Sequence, residues 1–191
     1  MSGREYDLLE DARSLVAGQW LQDGEQLRSY AATGRGNYRS EIRGHPSAAY
    51  RAATAVGWAA VKLVSPVGIV TGGVPYWNEI RRFEGRPPGL VAFGEGRDCE
   101  AARLLKTGPH RSGIWILTDR RFGFAADRIT SASDGRQAKG LRRDGDTLVL
   151  LDKVLEVPAA RFVFEDRVTR GRDVYLRIRF RDGSGVDVRN R

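Results

Sequence analysis

Residues 173–181 read DVYLRIRFR, and no other stretch restricts the possible folds as tightly. Val174, Leu176, Ile178 and Phe180 fall on alternate positions, with Asp173, Tyr175, Arg177, Arg179 and Arg181 between them. A helix would repeat its apolar positions every three or four residues; a period of two belongs to an antiparallel strand buried on one face. Phe162 and Phe164 before it, and Val186 and Val188 after it, continue the apolar face. Thr169–Arg172 and Asp182–Gly185 supply polar, glycine-containing turns. The end of the chain is therefore expected to be a three-stranded meander whose apolar face needs a second layer to cover it.

Upstream the same β texture reaches back to Arg86-Pro87-Pro88-Gly89, a boundary signal. Leu90–Phe93 reads as a short apolar strand. Asp98–Lys106 reads as a short helix capped by Asp98 and ended by Gly108-Pro109. Gly113–Asp119 is apolar on both faces, hence a buried strand, and Arg120–Ala126 reads as its hairpin partner or its continuation. Residues 131–146 form a polar loop, and Thr147–Val157 is another apolar strand, ending at Pro158.

Before Arg86 the pattern is helical. Leu8, Leu9, Ala12, Leu15, Val16 and Trp20 recur at helical spacing, with acidic residues early, where they suit the positive end of a helix dipole. A secretory signal would instead place basic residues first and an apolar run second. Residues 33–47 are polar, glycine-rich and basic, a linker, and Ser47 caps a second helix over Ala48–Val64. From Ala52 to Trp77 the only charge is Lys62. A membrane span takes about 20 apolar residues, but Lys62 lies mid-run and Pro66, followed closely by three glycines, interrupts it. The segment is expected to dock rather than cross, packed on the C-terminal domain or, less favoured, lying on a membrane surface, with Trp58, Val67, Ile69, Val70, Tyr76 and Trp77 as its apolar contacts. The expected architecture is α+β: an amphipathic helical region with a basic linker at 1–86, then a small antiparallel β-barrel at 87–191.

Charge bears on partners. The chain of 191 residues carries 32 Lys+Arg against 24 Asp+Glu, a net +8. The first 32 residues are net acidic, and the excess lies mainly between Arg35 and Arg86 and in the 128–143 region. Only four of the basic residues are lysine. Arginine suits bidentate phosphate recognition, which makes Arg81, Arg82, Arg142, Arg143, Arg177 and Arg179 the candidates for an anionic surface. On the strands, however, Glu165 and Asp187 fall on the same outward face as Arg177 and Arg179 and are placed to neutralise them.

Catalytic constellations are thin. His45 and His110 are the only histidines, and Cys99 the only cysteine, which excludes a disulfide framework or a cysteine zinc site. Cys99 with His110 is the one conceivable nucleophile–base pair, and a structural thiol fits Cys99 better. Gly94-x-Gly96-x-x-Cys99 lies between a strand and a helix, with Asp119 ending the next strand, as in a dinucleotide-binding turn. The third glycine is missing and the chain downstream is hairpins rather than βαβ units.

Three segments carry a family resemblance: GIWILTDRRFGFA from Gly113, VLEVPAARFVFE from Val154, and FRDGSGVDVR from Phe180. They resemble bacterial pleckstrin-homology-like and GRAM-like domains over about residues 88–191. The resemblance implies a strongly bent antiparallel barrel and a role in binding lipid headgroups, peptides or proteins rather than in catalysis. The family's closing C-terminal helix has no counterpart between the last strand and Arg191, and its phosphoinositide-binding loop motif is absent.

The expected function is a non-enzymatic binding or adaptor module, without catalytic residues, cofactor or metal, that docks to a partner protein or an anionic membrane surface. A protein partner or a second copy is favoured over anionic lipid, and nucleic acid held by arginine-rich loops is the alternative. A nucleotide-using enzyme built on Gly94 and Gly96 is the least favoured. The expected location is the cytoplasm, including the inner face of the membrane.

Overall fold

Six consecutive residues, Gly113–Thr118, are buried on both faces, so this strand must lie between two other layers. The architecture is that of a computed structural model, which describes residues 7–34, 37–44, 86–107, 111–131, 142–144 and 147–190. In chain order the elements are α1 (Leu8–Gln19), β1 (Leu27–Thr33), β2 (Tyr38–Ile42), β3 (Leu90–Gly94), α2 (Glu100–Thr107), β4 (Gly113–Thr118), β5 (Arg121–Ser131), β6 (Arg142–Asp144), β7 (Thr147–Pro158), β8 (Phe162–Arg170), β9 (Asp173–Phe180) and β10 (Gly185–Arg189). A 3₁₀ turn, Ala159–Arg161, joins β7 to β8.

The strands form two five-stranded sheets. The first has the order β1-β4-β5-β7-β6 and the second β2-β3-β10-β9-β8. All neighbours are antiparallel except β2 and β3, which run parallel. The layers follow from which side chains meet. Trp115, Leu117, Phe122 and Phe124 of the first sheet pack with Leu90, Ala92, Ile178, Phe180, Val186 and Val188 of the second, and Ala101, Ala102, Leu104 and Leu105 of α2 join the same core. The opposite face of the first sheet, with Ile114, Ile116, Ala125 and Val149, is covered by Leu8, Ala12, Leu15, Val16 and Trp20 of α1. The order is thus helix, sheet, sheet, and the buried strand β4 lies in the middle layer.

Local chemistry explains the helix ends. Asp7 caps α1 by accepting the Leu9 amide at 2.8 Å. At its other end, Gln19 fastens α1 to β7: its Nε2 donates to the Val149 carbonyl and its Oε1 accepts from the Leu151 amide. Beyond it lies a buried ion cluster. Arg121 donates through Nε and Nη2 to the two carboxylate oxygens of Glu25, both at 2.8 Å, and through Nη1 to Glu156. Its guanidinium also donates to the Trp20 carbonyl and stacks over the Trp20 ring. Burial pushes the Glu25 carboxyl up, but hydrogen bonds from Arg121, Thr118 and the Gln22 amide outweigh it and hold it at about 2.

Several expectations need correction. Among the described residues the small antiparallel barrel does not form: the two sheets stay separate and open, and β2–β3 pairing is parallel. Leu27–Thr33, and Tyr38–Ile42 inside the expected linker, are strands, one in each sheet, so each sheet takes a strand from before Arg86. The α2 cap is not Asp98. The Glu100 amide donates to Asp182 and the Ala101 amide to Ser184, both in the β9–β10 turn. In the meander, Ile178 and Phe180 are buried as expected, but Val174 is exposed, and Tyr175, on the opposite face, is buried with its hydroxyl donating to the Pro88 carbonyl. The expected second helix and the 52–77 run lie outside the described residues.

Candidate functional site

The outward face of the second sheet, turned away from the core, combines charge with the aromatic rings of Phe93 and Tyr175. Register places Arg177, Asp187, Val91 and Arg39 side by side across β9, β10, β3 and β2. Asp187 has no exposed surface, yet its carboxylate is fully engaged. Arg177 donates to both of its oxygens, at 2.7 and 2.9 Å, and Arg170 reaches Oδ2 at 2.6 Å. Arg170 also donates to both oxygens of Glu41, at 2.9 and 2.8 Å. Arg179 forms a two-point pair with Glu165. The guanidinium groups of Arg177 and Arg179 lie 4.5 and 5.5 Å from the centroid of the Phe93 ring, a cation–π arrangement.

The Arg170–Glu41 contact also reports the shape of the sheet. Arg170 is on β8 and Glu41 on β2, the two outermost strands. In a flat sheet four strand spacings would separate them by about 19 Å, more than the two side chains can bridge. The second sheet is therefore strongly curled around its charged face, although it remains open.

Electrostatics leaves these arginines occupied. Hydrogen bonding to Asp187 raises Arg177 above its ordinary value despite burial. For Arg170, burial lowers it, but Glu41 and Asp187 outweigh that and raise it. Hydrogen bonding to Arg179 lowers Glu165. Phosphate approaching this face meets guanidinium groups already paired with carboxylates of the same chain.

Beside the charged face lies an open strand edge. Among the described residues β8 pairs only with β9. Its burial pattern is almost wholly exposed after Phe162. The exposed large apolar side chains of the described surface are Val163 at 67%, Phe164 at 43% and Val174 at 40%. Val163 and Phe164 are on β8, and Val174 is the second residue of β9, in register with Thr169 of β8. Phe164 rests edge-on against the buried Phe162, with ring centroids 5.3 Å apart. The pairing of β8 with β9 shifts between Phe164 and Arg167, so Glu165 and Asp166 form a bulge in the middle of the strand.

The other sequence candidates fall differently. Of the six arginines proposed for an anionic surface, Arg177 and Arg179 meet on this face, and Arg170, which sequence reasoning passed over, completes it. Arg142 and Arg143 lie on the short edge strand β6, at the far end of the other sheet, in register with Val149 and Leu148. Arg81 and Arg82, and the apolar candidates Trp58, Val67, Ile69, Val70, Tyr76 and Trp77, lie outside the described residues, as does His110. Cys99 is buried.

The parts of the would-be dinucleotide turn are used internally. The N-terminus of α2, where a phosphate would sit, holds the carboxylate of Asp182. Asp119 accepts the Gln26 amide at 2.8 Å. A Cβ on Gly94 would lie 2.7 Å from the Ser184 Cβ and 3.0 Å from the Cys99 sulfur, so close side-chain packing accounts for that glycine. Among the described residues no group of three or more His, Cys, Asp or Glu side chains is arranged to hold a metal ion. Among the same residues no helix is long and apolar enough to cross a membrane. No protein-family model matches the chain, and no curated protein or solved structure is detectably similar to it.

Proposed function

We propose that the chain is a non-enzymatic binding module that docks to a partner protein along the open β8 edge of its second sheet. One observation carries this reading: Val163, Phe164 and Val174, the exposed large apolar side chains of the described surface, all flank a strand whose outer backbone groups have no partner among the described residues. A free strand edge pairs with an extended segment of another chain through main-chain hydrogen bonds, and neighbouring side chains select which segment. Covering Val163 and Phe164 adds on the order of 1 kcal/mol each. The bulge at Glu165–Asp166 and the charge of Arg167 guard the edge against indiscriminate pairing. Pairing of Arg170, Arg177 and Arg179 with carboxylates of their own chain weakens the competing readings, a phosphate-rich membrane surface or nucleic acid.

The test compares the wild-type chain with a Val163→Lys, Phe164→Lys variant. Both residues are exposed, so the variant is expected to keep its circular dichroism spectrum and melting temperature. Proteins crosslinked by the wild-type chain in a cell extract, identified and then titrated as purified species, should lose at least tenfold in affinity for the variant. Equal affinity for both forms overturns the reading. So does binding to anionic vesicles or duplex DNA that falls steeply with salt and ignores the edge substitutions.

A further inference from the structure

No further inference is drawn: the strongest candidate, the curled outward face of the second sheet where Arg170 and Arg177 close over buried Asp187 and Arg177 and Arg179 lie over Phe93, has each of these arginines held by a carboxylate of the chain itself, and nothing in the structure shows what would displace those carboxylates or cover the face.

Discussion

The carboxylate of Asp182 accepts a hydrogen bond of 2.6 Å from the backbone amide of Glu100, 82 positions earlier in the chain. A residue in the turn between the last two strands thus caps a helix inserted between the third and fourth. Ser184, whose own amide and hydroxyl donate to Asp182, accepts the next helix amide, that of Ala101, at 3.1 Å. Burial pushes the Asp182 carboxyl up, but hydrogen bonds from Ser184 and the Glu100 amide outweigh it and lower the group overall.

Asp182→Ala should therefore behave as the loss of a helix cap, costing about 1 kcal/mol, read as a lower urea midpoint with an unchanged slope. Asp98→Ala should leave the midpoint in place. Adding NAD or ATP should not shift the melting temperature, because the helix end that would hold phosphate is filled by Asp182.

Glu25 provides the pH-dependent prediction. Its folded value, about 2, lies below the ordinary 4.5, so the unfolded chain takes up its proton first as pH falls. The stabilisation is fully present above about pH 4.5 and is lost as pH falls toward 2, with a size of about 3 kcal/mol. Glu25→Gln removes this contribution and leaves the guanidinium of Arg121, only 8% exposed, with Glu156 as its remaining carboxylate. The variant should be destabilised by about 3–5 kcal/mol at neutral pH, and the gap from wild type should narrow in urea melts taken between pH 4.5 and pH 2. A gap constant across that range would rule out the assigned ionisation.

These two contacts also show what the sequence could and could not disclose. The alternation from Asp173 to Arg181 was enough to place Arg177 and Arg179 on one face with Asp187 and Glu165, and those pairs form. Strand neighbours are separated by short turns, so their meetings are readable from register alone. Glu25 and Arg121 are 96 positions apart, and nothing local marks either as the other's partner. Tyr175 sits at an outward position of the alternating pattern, but the segment before β3 packs over it, a tertiary event that periodicity does not encode. The strand β2 does alternate, with Tyr38 and Ile42 buried and Arg39 and Glu41 outward. It spans only five residues among glycines and arginines, and its polar composition reads as linker. Barrel closure depends on whether edge strands meet, a property of strand curvature and order rather than of any one segment.

Gly123 tests the packing of the middle layer. A Cβ there would lie 2.4 Å from the Leu155 carbonyl oxygen and 2.7 Å from two atoms of the Trp20 ring. The first is backbone of the neighbouring strand and cannot withdraw. Gly123→Ala should cost about 2–3 kcal/mol and should disturb Trp20, seen as a changed fluorescence spectrum of the folded protein. Gly113→Ala, which meets the Ala125 carbonyl oxygen at 2.2 Å, is expected to be equally damaging. A melt of either variant indistinguishable from wild type would show that the close approach of these strands is wrong.

The neutralised arginine face gives the last prediction. Glu41 and Glu165 are partly exposed partners at the margins of the cluster, whereas Asp187 is buried at its centre. Replacing the two marginal residues, Glu41→Gln with Glu165→Gln, keeps their shape and removes one negative charge at each. Arg179 then loses its paired carboxylate, and Arg170 keeps only Asp187. Exposed ion pairs contribute little to stability, so the melting temperature should hardly move. Retention on a heparin column should shift to higher salt, because the released guanidinium groups become available to sulfate and phosphate. Wild-type protein, with those groups occupied, should elute earlier. If the wild type and the double variant elute at the same salt concentration, the arginines of this face were never restrained by their carboxylates, and an anionic ligand would again compete with a protein partner as the object this surface recognises.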